Sequence, residues 1–232
     1  MEINWESQVL SSVSKVIPKL SCLEIDIDKL HEVAAELSED SFSINYEGNT
    51  NTVPKEYIRK TMLINTLNFV FTDFLTSVKY KIENYSDTDA MVYQIDKALD
   101  QGIPLTQGRF MRDMNLKEFK TLFTGNIVMP MADEKVKILN NVGDILVTKY
   151  GGDWINFIDD GPKKLYDNGK GLVERLVRDF KRFDDHSIFE NEKVYFLKLA
   201  QLAFWGIHRE LSKRYFYIED MENMTAFADY II

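Results

Sequence analysis

The apolar residues of this chain recur at steps of three and four, and this helical periodicity is the feature that most limits what the chain can fold into. In one segment Leu30, Val33 and Leu37 follow these steps, which places them on one face of an amphipathic helix. Alternation of apolar and polar residues, the pattern of a strand, is nearly absent. The periodicity predicts an all-α fold, a mostly helical single domain that spans residues 1–232.

Two segments are predicted to form long buried helices at the centre of this domain. The first runs from Glu56 to about Tyr80, and its middle, from Leu63 to Leu75, is apolar around most of the helix circumference. Such a helix is expected to be covered on all sides. The second runs from about Phe189 to Arg214, with apolar residues again at three- and four-residue steps.

Capping residues and glycines predict where the shorter helices begin and end. One helix is expected to begin near Asp87 or Asp89 and to stop at Gly102. Another is expected to begin after Asn115, whose side chain can cap its first turn. In the segment "KILNNVGDIL" we expect a helix that is broken at Gly143 and then continues.

Composition limits the partners of the chain. The 232 residues carry a net charge of −9, and 45% of them are hydrophobic, which is enough for a core and unlike a disordered chain. Broad binding to nucleic acid needs a clustered basic surface, which we do not expect in an acidic chain with a pI near 5.0. No apolar run reaches the roughly 20 residues of a membrane span. We therefore expect no nucleic acid duplex and no membrane as partner, while a local pocket of cations would still suit a small anionic ligand.

Cysteine usage and the first residues predict the compartment. Cys22 is the single cysteine, so no internal disulfide and no cysteine-rich zinc site can form. The opening stretch "MEINWESQVLSSV" is acidic and lacks the basic and apolar regions of a secretion signal. Both observations predict a soluble protein of a reducing compartment, the cytoplasm.

Carboxylates are the reactive groups that the sequence offers. It contains no P-loop, no glycine-rich dinucleotide turn and no G-x-S-x-G elbow. Its three histidines, His31, His186 and His208, are far apart and form none of the paired metal-binding spacings. If the chain is an enzyme, we expect aspartate or glutamate to carry the chemistry.

The decapeptide "KRFDDHSIFE" (181–190) places two adjacent aspartates ahead of the second long helix. Either Asp184 or Asp185 can cap a helix that begins near Ser187 or Ile188. The positive end of a helix also suits a working carboxylate or a bound ligand. Spacing alone favours the cap over a catalytic role and leaves the two aspartates interchangeable. A metal site is disfavoured, because adjacent residues rarely aim at one ion without further ligands.

Packing alone explains three other polar residues poorly. Gln201 lies in the middle of the apolar face of the second long helix, with Lys198 one turn before it, and a buried amide must find hydrogen-bond partners. In "TAFADY" (225–230), Phe227 is expected to pack on the core. Asp229, between two aromatic residues, suits a carboxylate that accepts from the N–H edge of a heterocycle. The pattern favours a polar pocket beside this helix.

In order, a series of segments resembles those of the queuosine salvage proteins, the N-glycosidases that release queuine from queuosine 5′-phosphate. Together they cover roughly residues 60–230, and similar spacing throughout makes the match specific. In chain order they are "TLNFVF" (66–71), "IDKALDQGIPLT" (95–106), "NLKEFKTLF" (115–123), "MADEKVKILNNVG" (131–143), "GDWINFI" (152–158), "FDDHSIFENEKVYFLKLAQL" (183–202) and "MTAFADY" (224–230).

This resemblance implies a fold and a reaction. The fold is mostly helical and similar to that of DNA glycosylases, without duplex DNA as substrate. The reaction is hydrolysis of the N-glycosidic bond of queuosine 5′-monophosphate, or of a close 7-deazaguanine nucleotide or nucleoside, with no metal or other cofactor. The released queuine would be salvaged for tRNA modification. An alternative from another class is a non-catalytic helical protein that binds a nucleobase or nucleoside and derives from such an enzyme.

The resemblance also implies roles for individual residues. Asp185 matches the catalytic carboxylate of a Phe-x-Asp pair, in which Phe183 supplies an aromatic face for the substrate. Asp229 and Tyr230 match an Asp-Tyr pair that lines the pocket. The remaining substrate-binding candidates are the residues that match two positions of a Lys-Arg-Ala-Gln helix, Lys198 and Gln201. Of these, Lys198 is the first candidate for the substrate phosphate.

Overall fold

Helices make up most of the secondary structure. The computed structural model describes residues 7–21, 24, 26–36 and 51–228. Within these ranges lie ten α-helices: α1 (Gln8–Val16), α2 (Ile27–Glu36), α3 (Pro54–Leu67), α4 (Asp87–Asp100), α5 (Gly108–Asp113), α6 (Leu116–Leu122), α7 (Ala132–Tyr150), α8 (Trp154–Asp159), α9 (Leu172–Asp179) and α10 (Lys198–Leu211).

Short strands form three antiparallel hairpins between the helices. Two hairpins connect α3 to α4, and the third connects the turn after α9 to α10. Their strands are β1 (Thr72–Asp73) with β2 (Val78–Lys79), β3 (Lys81–Ile82) with β4 (Tyr85–Ser86), and β5 (His186–Phe189) with β6 (Glu192–Tyr195). The mostly helical class is therefore confirmed, although the chain is not all-α.

Helices α3 and α10 pack against each other at the centre of the core. Met62 and Leu63 are completely buried on α3, as are Phe204 and Ile207 on α10. This pair confirms that two buried helices organise the fold. Both are shorter than the sequence pattern predicts.

The first of them ends at Leu67, so its predicted continuation to Tyr80 is wrong. Asn68 leaves helical geometry (φ −74°, ψ 79°), and Val70 has a positive φ of 44°. The aromatic and β-branched residues that follow lose side-chain freedom in a helix and favour extended backbone. They enter the first hairpin instead.

The second predicted helix, residues 189–214, is wrong over its first turns. A hairpin occupies these positions, and α10 begins only at Lys198. Glu190 and Asn191 both have positive φ (46° and 68°), which is the combination that a two-residue type I′ hairpin turn requires. Because no helix begins before this turn, the expected capping role of the adjacent aspartates is also wrong.

Most of the smaller boundaries are confirmed. The helix predicted from Asp87 is α4, and Asn115 caps α6 in a reciprocal capping box with Glu118. The predicted break at Gly143 is wrong, since α7 runs through it without interruption. There α7 lies so close to α5 that any side chain would overlap the backbone of Arg112. The glycine is required for packing and not for a turn.

The N-terminal helices differ in how they meet the rest of the fold. On α1, the Ser12 hydroxyl accepts a hydrogen bond from the Tyr195 backbone N–H on β6 (3.0 Å). Helix α2 is present as predicted and exposes Leu30 and Val33, while Leu37 lies outside the described residues. Across the described ranges, no helix combines the length and apolar character that a membrane crossing requires.

Candidate active site

Asp185 lies in the turn between α9 and the third hairpin. Its N–H donates to the carbonyl of Phe183 (2.9 Å), and its carbonyl accepts from the N–H groups of Phe196 (3.0 Å) and Leu197 (3.3 Å). The backbone of Asp185 is thereby fixed next to the first turn of α10. Its side chain is exposed, and none of the residues that the structure describes forms a hydrogen bond or ion pair with its carboxylate.

Asp184, in contrast, is engaged with the hairpin. Its Oδ1 lies 3.1 Å from His186 Nδ1 and 3.4 Å from Lys193 Nζ. The Lys193 ammonium also stands over the ring of Tyr195, 4.4 Å from the ring centroid. The geometry therefore separates two aspartates that spacing alone leaves interchangeable: Asp184 binds the hairpin, and Asp185 offers an exposed carboxylate on a fixed backbone.

Two cations bind the C-terminal end of α3 beside this turn. Arg182 donates to the first and third of four consecutive carbonyls, and Lys135, from α7, donates to the second and fourth. In chain order these carbonyls belong to Thr66 (2.7 Å), Leu67 (3.1 Å), Asn68 (3.4 Å) and Phe69. The last carbonyls of a helix lack partners within the helix and carry the negative end of its dipole, which favours cations at this place.

The same two cations lie against one aromatic ring. Lys135 Nζ is 3.7 Å and Arg182 Cζ is 4.5 Å from the ring centroid of Phe69. Lys135 Nζ is also 4.8 Å from the ring centroid of Phe71. Both arrangements are within the range of attractive cation–π contacts. The aromatic residues of the segment "LNFVF" thus hold the cations, in addition to forming core.

Burial changes the acid–base properties of both cations. Lys135 is completely buried, and burial, together with the neighbouring charge of Arg182, lowers its pKa to about 7. Burial also lowers the pKa of Arg182 to about 10, against the opposing attraction of Asp185. Within the described ranges neither cation forms an ion pair with a carboxylate, and the charge of Asp185 acts on Arg182 from a longer distance.

Three residues with positive φ border this cluster. Val70 (φ 44°) follows Phe69, Met131 (φ 56°) accepts the N–H of Lys135, and Leu197 (φ 52°) donates to the Asp185 carbonyl. This conformation is uncommon for residues with a side chain, costs on the order of 1–3 kcal/mol, and concentrates at functional sites. Here it occurs on three separate segments, each adjoining a residue of the cation cluster or of the Asp185 turn.

The protein itself satisfies the buried amide of Gln201. Its Oε1 accepts from the Thr225 N–H (2.9 Å), and its Nε2 donates to Thr225 Oγ1 (2.9 Å) and to the carbonyl of Phe196 (3.3 Å). Since the Phe196 N–H binds Asp185, a hydrogen-bonded path joins the Asp185 turn to Thr225. That residue stands four positions before Asp229 in the sequence.

The other predicted site residues take different positions. Phe183 is completely buried in the hydrophobic core, and its expected stacking on a ligand stays a prediction. Lys198 is the first residue of α10, whose first turn has no side-chain cap. Phe227 packs edge-on against Trp205, with ring centroids 6.1 Å apart, as expected.

Two predicted pocket residues, Asp229 and Tyr230, lie outside the described residues. Sequence reasoning missed Arg182 and Lys135 altogether. Lys135 had a usable signal, because it falls on the buried face of α7, four residues before Leu139. A cation at such a position needs a special environment. Arg182 carries no comparable local signal.

A second polar region lies near the other end of α3. A cleft of about 720 Å³ is lined there by the turn at 102–106 and by Arg59 and Asp153, among others. Arg59 binds Asp153 through two parallel hydrogen bonds, Nε to Oδ1 (2.9 Å) and Nη2 to Oδ2 (2.6 Å). At about 1.5 Å per residue, Arg59 is about 10 Å along the helix axis from Thr66. The cleft is therefore separate from the Asp185 turn.

The chemistry available around Asp185 follows from these groups. It comprises an exposed carboxylate on a fixed backbone, the two cations that hold the adjoining end of α3, and the positive end of α10. Across the described part of the chain, no group of three or more histidine, cysteine, aspartate or glutamate side chains is arranged to hold a metal ion. The carboxylate suits stabilisation of a developing positive charge.

Comparison with known proteins relates the chain to one family. The sequence profile described as "Queuosine salvage protein" matches residues 45–232. A relative from Mus musculus is 29% identical over 177 residues, and one from Bos taurus is 26% identical over 204 residues. A bacterial relative from Sphaerobacter thermophilus is 23% identical over 227 residues. All three carry the name queuosine 5′-phosphate N-glycosylase/hydrolase.

These matches cover the chain and its relatives to different extents. They include 72%, 84% and 96% of this chain, but 51%, 58% and 69% of the mouse, bovine and bacterial relatives. The chain thus spans about half the length of the two mammalian relatives it matches.

Proposed function

Because this chain belongs to the queuosine salvage protein family, we propose that it hydrolyses the N-glycosidic bond of queuosine 5′-monophosphate, or of a close 7-deazaguanine nucleotide or nucleoside, and releases queuine. The observation that carries the proposal is the exposed carboxylate of Asp185. Its backbone is held by hydrogen bonds on both sides, and the turn that carries it faces the start of α10.

Asp185 is assigned to the reacting sugar. The bond between C1′ of the ribose and the base nitrogen breaks with its electron pair moving to the base, which leaves oxocarbenium character at C1′. The carboxylate stabilises this charge electrostatically, or it forms a ribosyl ester that water then opens. In either course water supplies a hydroxyl to C1′ and a proton that ends on the base.

Asp229 is assigned to the leaving base, with Tyr230 beside it in the pocket. A 7-deazapurine has no ring nitrogen at position 7 to be protonated, so hydrogen bonds at its pyrimidine edge must help it depart. The hydrogen-bonded path from Asp185 through Gln201 to Thr225 supports this assignment. It ties the segment that leads to Asp229 to the Asp185 turn.

Lys198 is assigned to the phosphate of the substrate. It is the first residue of α10, and the residue before it, Leu197, has no side chain that could cap the helix. The N–H groups of a first helical turn and the positive end of the helix dipole attract a phosphate to such a position. Phe183 packs in the core next to the turn. Its proposed role, an aromatic face for the substrate, rests on its match to the Phe-x-Asp pair.

The wider properties follow from the same proposal. We propose a single domain with an architecture similar to that of DNA glycosylases, supported by the ten helices of the described ranges. A small nucleotide is the proposed partner, in place of duplex nucleic acid or a membrane. A cytoplasmic location is supported by the single cysteine.

Product release from queuosine 5′-monophosphate tests the proposal. Wild-type protein is expected to release queuine, measured by mass spectrometry. Asp185→Ala is expected to reduce kcat by at least about 100-fold, because it removes the charge that stabilises the transition state. Asp184→Ala is the matched control, one residue away and engaged with the hairpin, and is expected to retain kcat within a few-fold.

Two outcomes would change the conclusion. Binding of the nucleotide without any release would favour a non-catalytic nucleobase- or nucleoside-binding protein. Full activity of a normally folded Asp185→Ala variant would remove Asp185 from the reaction while leaving the activity itself in place.

Binding of free queuine tests Asp229 separately. Asp229→Ala is expected to weaken binding by about 10-fold or more, since hydrogen bonds to charged groups contribute about 1.5–3 kcal/mol. Glu222→Ala removes an exposed carboxylate of the same tail and should leave the affinity unchanged. Equal affinity of Asp229→Ala and wild type, measured by calorimetry, would exclude Asp229 from the pocket.

A further inference from the structure

The cluster at the C-terminal end of α3 explains how the Asp185 carboxylate is held, given the proposed glycosidase function. We propose that Arg182 and Lys135 are positioning residues of this reaction. Arg182 fastens the Asp185 turn to the end of α3, and Lys135 fastens the same helix end to α7. Neither residue needs to touch the substrate for this role.

The contacts form a continuous mechanical link. Arg182 belongs to the 3-10 segment that leads into Asp185, and its guanidinium is held by the carbonyls of Thr66 (2.7 Å) and Asn68 (3.4 Å). The Asp185 N–H then closes the turn on the Phe183 carbonyl (2.9 Å). Loss of the guanidinium contacts is therefore expected to loosen the turn that carries the carboxylate.

Lys135 supports this link from the other side. Its ammonium binds two carbonyls of the same helix end and lies 3.7 Å from the centroid of Phe69, the ring that Arg182 also contacts. Helix α7 is the longest of the described helices and is packed closely on α5. The Asp185 turn is thereby connected to a rigid part of the core.

Helix capping alone does not account for two cations. Carbonyls at a helix end can be satisfied by water or by one side chain, whereas burying a charge costs free energy unless it is paired. Here Lys135 is completely buried and Arg182 is half-buried, and neither has an ion-pair partner in the described ranges. We infer that this cost is retained because the two cations fix the turn that carries the carboxylate.

The charged groups around Asp185 come from four elements. Arg182 and Asp184 share its turn, His186 and Lys193 lie on the hairpin, Lys135 is on α7, and Lys198 begins α10. Arg182 is the cation whose charge acts on Asp185 directly. Its removal is therefore expected to weaken the positive field at the carboxylate.

Queuine release by Arg182→Met and Arg182→Lys, measured as separate kcat and KM values, tests the inference. Arg182→Met is expected to lower kcat by about 10- to 100-fold with little change in KM, because misplacing a catalytic group slows the chemical step. Arg182→Lys keeps the charge but not the planar fork that holds two carbonyls, so it should also lower kcat, by less than Arg182→Met, and leave KM in place.

Lys135→Met is expected to lower kcat by several-fold, and Lys193→Met, a cation on the hairpin, is the control that should not. A purely structural role would reduce the yield of folded protein and leave the kcat of the folded fraction unchanged, and that result would overturn the inference. The wild type in the same assay separates the two proposals. Absence of release by wild type contradicts the proposed function, whereas release by wild type with full kcat in Arg182→Met contradicts only the positioning role.

Discussion

The charged side chains at the two ends of α3 have different kinds of partner. Toward the N-terminal end, Arg59 and Asp153 form a bidentate ion pair in the wall of a cleft of about 720 Å³. At the C-terminal end, Arg182 and Lys135 bind backbone carbonyls, and the carboxylate of Asp185 stays exposed. At the first end a cation is paired with a carboxylate, whereas at the second end the cations and the carboxylate of Asp185 form no ion pair within the described ranges.

The acid–base properties of the two ends follow this difference. The hydrogen bond to Asp153 raises the pKa of Arg59, whereas burial lowers the pKa of Arg182. A charge that is satisfied by a partner stabilises local structure and is unavailable to a ligand. The carboxylate of Asp185 has no such partner among the described residues, which is why the proposed active site is placed at the C-terminal end of α3.

The largest effect on the free energy of unfolding is expected at the C-terminal end of α3, where the cations have no ion-pair partner in the described ranges. The pKa of Lys135 is lowered to about 7 from 10.5, so the unfolded chain binds more protons than the folded chain between these values, and stability rises with pH. From pH 7 to 9 this contribution amounts to at most about 2 kcal/mol. Lys135→Met removes the titrating group, and the rise should disappear.

Urea unfolding at pH 7, 8 and 9 measures this rise. The range stays below pH 10, because tyrosines with raised pKa values, such as Tyr80 with a pKa of about 12, begin to titrate in the unfolded chain above it. Lys193→Met is the matched control and should keep the wild-type slope. Equal slopes for wild type and Lys135→Met would mean that Lys135 is not the source of the pH dependence.

Local patterns were enough to predict much of the fold. The helical class, the start of α4 and the capping box at Asn115 depend on residues close in sequence, and all three are confirmed. The ends of the long helices depend on distant partners. The α3 carbonyls are satisfied by Arg182, more than 100 residues later, and no periodicity within α3 can indicate this.

The candidate site was predictable to a smaller extent, for the same reason. The resemblance assigns the catalytic role to Asp185 and not to Asp184. The contacts of Asp184 with the hairpin agree with this assignment. The expected helix cap failed because β5 and β6 intervene before α10. Gln201 was identified from its burial among apolar residues, but its partner, Thr225, could be found only from the three-dimensional structure.

The smallest effect is expected at the compensated end, where Arg59→Met breaks the ion pair. Burial opposes ionisation of Asp153, but the hydrogen bonds from Arg59 and from the Ile155 N–H outweigh it and lower the pKa of Asp153. Its contribution to stability is therefore present above the unfolded value of 3.8 and is lost as the pH falls through the folded pKa. For a half-exposed pair we expect Arg59→Met to lose about 1 kcal/mol at pH 7.

This loss should shrink below about pH 4, where the carboxylate is protonated in the unfolded chain, and urea unfolding at pH 7 and 3.5 measures the change. Queuine release should stay at the wild-type kcat, since Arg59 is about 10 Å along α3 from Thr66, the residue to which Arg182 ties the Asp185 turn. A fall in kcat comparable to that of Arg182→Met would contradict the separation of the two ends. In that case the cleft beside Arg59 would have to be part of the active site.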